Sequence, residues 1–111
     1  MTVQKATKIL GLTVLSESGG MARDIENVFC CDLLSLAMSK SPPGCAWVTV
    51  MGNVNTVAVA SLTDAACIVL AEGINPDKAA IEKAQEQGVV ILKSEKPVFE
   101  TARSIYELLG G

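Results

Sequence analysis

Between Ala46 and Gly73 the chain changes hydrophobic rhythm three times, and this alternation limits its fold more than any other feature. Ala46-Trp47-Val48-Thr49-Val50-Met51 is a short apolar run rich in β-branched residues. The polar loop Gly52-Asn53-Val54-Asn55-Thr56 follows, then an apolar stretch of helical length, Val57 to Leu62. A second short apolar run, Ala66 to Leu70, ends in Ala71-Glu72-Gly73. Runs of that length without polar residues suit strands buried on both faces, which occur in parallel sheets whose crossovers are helices.

The flanking segments continue the pattern. A helix is expected over Val3 to Leu10, with Thr2 as its cap and Gly11 as its stop. Leu12 to Leu15 reads as a strand, Ser16 to Ala22 as a loop, and Ile25 to Cys31 as a second strand. Asp32 is placed to cap an apolar helix from Leu33 to Met38, which stops before the turn Ser41-Pro42-Pro43-Gly44. Cys45 to Met51 is the central strand, and Asn53 or Asn55 can cap the helix that runs on from Thr56 to Leu62. Asn75-Pro76-Asp77 marks another helix start, with Asn75 as its cap and Pro76 in its first turn, and Gly88 marks its end. Val89 to Leu92 is a further strand. Ser94 and Pro97 open a last helix, with Phe99, Ala102, Ile105, Tyr106 and Leu109 as spaced anchors. The expected fold is α/β: a mostly parallel sheet with helices on both faces, in a single compact domain over residues 1–111.

Charge and cysteine usage narrow the function classes. Nine basic against 12 acidic residues give a net charge of −3, and the basic residues are scattered. Nucleic-acid binding draws on clustered Lys and Arg, so no nucleic-acid partner is expected. No apolar run reaches the roughly 20 residues of a membrane span, and the first ten residues lack a secretory core. A cytoplasmic protein with no membrane partner is the expectation. Cys30, Cys31, Cys45 and Cys67 form no Cys-x-x-Cys pair, and the chain has no histidine. Adjacent Cys30 and Cys31 point to opposite faces of a strand. Free thiols, no metal site and no cofactor are therefore expected. Without histidine, Cys30 or Cys31 has no base to activate it, so no catalytic residue is assigned.

Parallel α/β sheets gather functional loops at the carboxyl ends of their strands. Two polar turns fall there. Gly52, Asn53, Asn55 and Thr56 can offer backbone N–H groups to an anion at a helix start, or can serve as an ordinary capped turn. Glu72 and Gly73 can face a ligand, or can form an exposed turn in which Gly73 supplies a positive φ. There is no Gly-Lys-Ser/Thr phosphate loop. Trp47 can fill the core or a subunit contact, and Phe29 with Leu33 and Leu36 can form either core or a self-association face.

From Val28 onward the segments resemble the DRTGG domain family. The residues that carry this are Asp32-Leu33-Leu34-Ser35 with Met38; Pro43-Gly44 before Ala46-Trp47-Val48-Thr49; and Gly52-Asn53-Val54-Asn55. Asp64 to Leu70, Gly73 with Pro76, Glu82-Lys83-Ala84 with Gly88-Val89, and Phe99-Glu100-Thr101-Ala102 complete the set. The resemblance implies an α/β domain that tends to pair with itself. In the family such domains occur beside CBS domains, phosphotransacetylase-like enzymes and HPr kinases, and some stand alone near hydrogenase genes. Where the family has Gly-Asp-Arg, this chain has Gly52-Asn53-Val54; where it has Thr-Gly-Gly, this chain has Ala71-Glu72-Gly73. An arginine able to pair with phosphate is thus replaced by Val54, and an acid stands close by.

Together these readings give a non-catalytic regulatory or ligand-sensing module, expected to be a homodimer. Its small-molecule partner would be an adenine nucleotide held at Gly52, Asn53, Asn55, Thr56, Glu72 and Gly73. The alternative is an accessory subunit that docks on a partner enzyme of redox or metabolic function, such as a hydrogenase.

Overall fold

In a computed structural model that describes residues 1–111, one five-stranded sheet runs through the molecule. Its strands are β1 (Thr13–Ser16), β2 (Asn27–Cys30), β3 (Cys45–Thr49), β4 (Cys67–Leu70) and β5 (Ile91–Lys93). They lie in the order β1-β5-β4-β3-β2; β2 to β5 are parallel, and β1 closes one edge antiparallel to β5. The central strands β3 and β4 are buried along their whole length, in keeping with sequences that are apolar except for Thr49.

The helices are α1 (Val3–Leu10), α2 (Leu34–Lys40), α3 (Val54–Leu62), α4 (Lys78–Gln87) and α5 (Val98–Leu108). Helix α3 packs against both α2 and α4 on one face of the sheet, while α5 lies with α1 on the other, over β2 and β3. Side chains alternate accordingly. Trp47, Ile68, Leu70 and Ile91 meet Ala37, Val57, Ala60, Ala80 and Ala84 on the first face. Ala46, Val48, Cys67, Val69 and Leu92 meet Val3, Ala6 and Ile105 on the second. The short alanine and valine side chains let the helices approach closely, and each core is filled without an unpartnered buried polar side chain.

The strand order decides what the carboxyl edge can become. From β2 to β5 every crossover steps to the next position in the same direction. A doubly wound sheet opens a crevice where two crossovers diverge. No such divergence exists here among the parallel strands, so their end loops pack side by side.

Most helix limits follow local chemistry. Thr2 accepts a hydrogen bond from the Lys5 amide, and Gly11 ends α1 in the left-handed conformation at φ 65°. Three expectations are corrected. Asp32 does not cap α2: Leu33 holds the N-cap position without a side-chain bond. Asn75 and Pro76 precede α4, whose N-cap position falls to Asp77. Phe99 and Tyr106 do not anchor α5; they are 72% and 59% exposed, and Ile105 is the anchor at 1%.

Candidate functional site at the carboxyl ends of the strands

The end of β3 is a hydrogen-bonded turn. Asp32, just past β2, accepts from the Thr49 hydroxyl at 2.7 Å and from the Val50 amide at 3.0 Å. The Thr49 oxygen in turn accepts from the Met51 amide at 3.2 Å. In the paired register Cys30 lies beside Val48, so two residues further on Asp32 comes level with Val50. The carboxylate therefore occupies a backbone donor that an incoming anion would otherwise use.

Asn53 caps α3, its side-chain oxygen accepting from the Thr56 amide at 3.0 Å. Thr56 is 1% exposed, with its hydroxyl turned to the same oxygen. Asn55 is exposed. Gly52 is needed for close approach: an added Cβ would lie 2.9 Å from the Pro76 Cα. The Gly52 carbonyl also accepts from the Asp77 amide at 2.8 Å. The space between Gly52, Asn53, Thr56, Leu70 and Pro76 is closed to water.

The turn after β4 is stitched to the next loop. Glu72 and Gly73 both take positive φ, 61° and 64°. Their amides donate to the Lys96 and Ser94 carbonyls, each at 2.8 Å, and the Ile74 amide donates to Ala71. The Glu72 side chain is exposed. Beside it Lys93 donates to Asn75 at 3.1 Å and sits 3.8 Å from Glu95. The structure thus joins Gly52 and Asn53 to Pro76 and Asp77, and Glu72 and Gly73 to the loop from Ser94 to Lys96. Sequence reasoning missed Asp32 and Thr49, because an Asp before an apolar helix looks like its cap whether or not it turns to a neighbouring strand.

Trp47 is fully buried and donates from Nε1 to the Cys31 carbonyl at 2.9 Å, so it belongs to the core. Arg23 grips Asp64 through both carboxylate oxygens, at 2.9 and 3.0 Å. That bond holds the Asp64 carboxyl below its ordinary range and raises the Arg23 guanidinium. All four thiols are free, and burial pushes Cys67 up to about 12. Burial, with Asp32 nearby, also raises exposed Cys30, the opposite of what a nucleophile needs. No group of three or more His, Cys, Asp or Glu residues gathers in a way that could hold a metal ion. No helix is long and apolar enough to cross a membrane.

The fold and this edge define a small α/β domain with a mostly parallel, singly stepped sheet. The sequence profile of the DRTGG domain matches residues 5–108, and the chain belongs to the DRTGG domain family. No characterised, curated protein sequence matches it. Among solved structures it resembles the CBS and DRTGG domains of the regulatory region of Clostridium perfringens pyrophosphatase, in complex with the activator diadenosine tetraphosphate. That likeness has a TM-score of 0.79 at 12% identity, over 95% of this chain and 46% of the other. The chain therefore spans about half the length of this neighbour.

Proposed function

We propose that this chain is a regulatory module without catalysis of its own, and that it works as a homodimer. One contrast carries this reading. The polar groups at the carboxyl edge bond to one another around a closed turn, whereas large apolar side chains stand exposed elsewhere. Phe99 and Tyr106 are exposed on α5, and Leu33, Leu36 and Met38 at α2 are 59%, 46% and 45% exposed. Contiguous exposed apolar surface marks association. The test is the solution mass of the full chain by sedimentation: a dimer at micromolar concentration supports the reading, and a strict monomer overturns it.

A second reading is favoured by the diadenosine tetraphosphate bound in the structural neighbour. In it, Gly52, Asn53, Asn55, Thr56, Glu72 and Gly73 take an adenine nucleotide after the Pro76 segment gives way. A ligand that binds only the folded state raises the melting temperature by mass action. Titration with AMP, ADP, ATP and diadenosine tetraphosphate tests it, and a flat response across the panel removes it. The exposed side chains of Leu33 and Leu36 are then the surface through which the chain, as an accessory subunit, would dock on a partner enzyme, read by reproducible co-purification.

A further inference from the structure

Where the end of α1 meets α5, the structure leaves a small cavity of about 130 Å³. The last turn of α1 and the chain just beyond it contribute Ile9, Leu10 and Leu12. Leu12 is folded back there because its amide donates to the Thr7 carbonyl at 3.0 Å. The β5–α5 connection contributes Ser94 and Lys96, and α5 contributes Thr101 and Ser104. Thr101 and Ser104 stand three residues apart and so share one helix face. No acidic side chain lines the cavity.

The polar side of this cavity holds a donor to spare. Ser94 and Thr101 are 5% and 2% exposed, so their hydroxyl protons call for acceptors. Their oxygens lie 2.7 Å apart, and the Ser94 oxygen also accepts from the Lys96 amide at 3.2 Å. The short bond uses one of the two hydroxyl protons. If Ser94 donates it, the Thr101 proton is left with the Lys96 carbonyl at 3.3 Å. If Thr101 donates it, the Ser94 proton has no acceptor in the chain. Either way the buried pair can turn a proton to a molecule in the cavity. The exposed Lys96 ammonium belongs to none of the ion pairs, since neighbouring Glu95 lies against Lys93. One side of the cavity thus offers hydroxyls and a positive charge, and the other offers only hydrocarbon.

We propose that this cavity binds a short-chain carboxylate of the size of propionate or butyrate. Its oxygens accept from the Ser94–Thr101 pair, Ser104 and the Lys96 ammonium, and its alkyl chain lies on Ile9, Leu10 and Leu12. A cavity of about 150 Å³ takes up benzene. A volume of about 130 Å³ therefore suits a molecule slightly smaller than that. Inorganic phosphate fits less well, because oxygens turned to the leucine and isoleucine side chains would lose their hydrogen bonds. The residues of the nucleotide reading do not line this cavity, so the proposal stands apart from it. The two are joined through the backbone: the Ser94 and Lys96 carbonyls accept from the Gly73 and Glu72 amides, each at 2.8 Å. A carboxylate that steadies the Ser94–Lys96 loop also steadies that turn, which gives a regulatory module a metabolite input.

The test is a titration of the full chain, labelled with nitrogen-15 and followed by amide NMR at constant ionic strength. The probes are sodium butyrate, butylamine and inorganic phosphate. Butyrate should give saturable shifts at Leu10, Leu12, Ser94, Lys96 and Thr101, with a Kd on the order of a millimolar, as suits so small a ligand. Butylamine, with the same chain and the opposite charge, should give none. Lys96→Met keeps the stem and removes the charge at an exposed position, and should weaken butyrate about tenfold. Ser104→Leu fills the cavity from a half-buried position and should abolish the shifts; should it fail to fold, Lys96→Met still decides. The proposal is overturned by butyrate shifts that do not saturate, by butylamine or phosphate binding there as tightly as butyrate, or by an unchanged affinity in Lys96→Met.

Discussion

Replacing Gly52 by alanine probes whether the carboxyl edge is a rigid packed turn. The added Cβ would sit 2.9 Å from the Pro76 Cα and 3.3 Å from the Leu70 Cδ1. Carbon atoms prefer about 3.5–4.0 Å, so something must move. Leu70 is fully buried, and the Pro76 segment is tied back to Gly52 by the Asp77 amide at 2.8 Å. Overpacking of this kind costs about 1–3 kcal/mol. Loss of glycine from the unfolded chain offsets about 0.4–1 kcal/mol of that. A net loss of about 1–2 kcal/mol lowers the melting temperature of a domain this size by about 4–8 °C. Urea and thermal unfolding followed by circular dichroism measure it, with exposed Asn55→Ala as the comparison, expected within about 0.5 kcal/mol of wild type. A Gly52→Ala protein that melts at the wild-type temperature would refute the reasoning. The Pro76 segment would then be plastic, and the edge able to open for a ligand.

Three further outcomes follow from the same structure. Glu72 stands at φ 61° with its side chain in solvent, so Glu72→Gly relieves left-handed strain and raises stability by about 1 kcal/mol in urea titration. Native labelling with a thiol reagent at mildly alkaline pH modifies exposed Cys30 slowly. Cys31, Cys45 and Cys67 react only after denaturation, which mass spectrometry of peptides resolves. Asp64 has its carboxyl lowered by Arg23, so the pair's contribution is present above the ordinary aspartate range and is lost as pH falls through the lowered value. Because Asp64 is mostly exposed, Asp64→Asn should flatten acid unfolding by only about 0.5 kcal/mol.

How much of this was legible in the sequence depends on how local each determinant is. Helix α1 could be read to the residue because Thr2 and Gly11 act on their own neighbours. The buried runs of β3 and β4 announced a parallel sheet because two covered faces leave almost no room for polar side chains, Thr49 at the strand end being the exception. Asp32 could not be read, since its partners Thr49 and Val50 become neighbours only when β2 pairs with β3. Phe99 and Tyr106 looked like core anchors because helical spacing shows that residues share a stripe, not which stripe faces inward. The candidate ligand loops were correctly placed at strand ends, but whether a crevice opens there is a matter of strand order. The Ala71-Glu72-Gly73 turn hid a second left-handed residue behind an expected glycine.

The central claim is that this domain regulates as a paired module. Sedimentation equilibrium of the full chain, from micromolar to near-millimolar concentration, tests it most directly. The account predicts a single reversible monomer–dimer equilibrium with twice the chain mass at the upper end. A mass that stays at one chain across the whole range would contradict it.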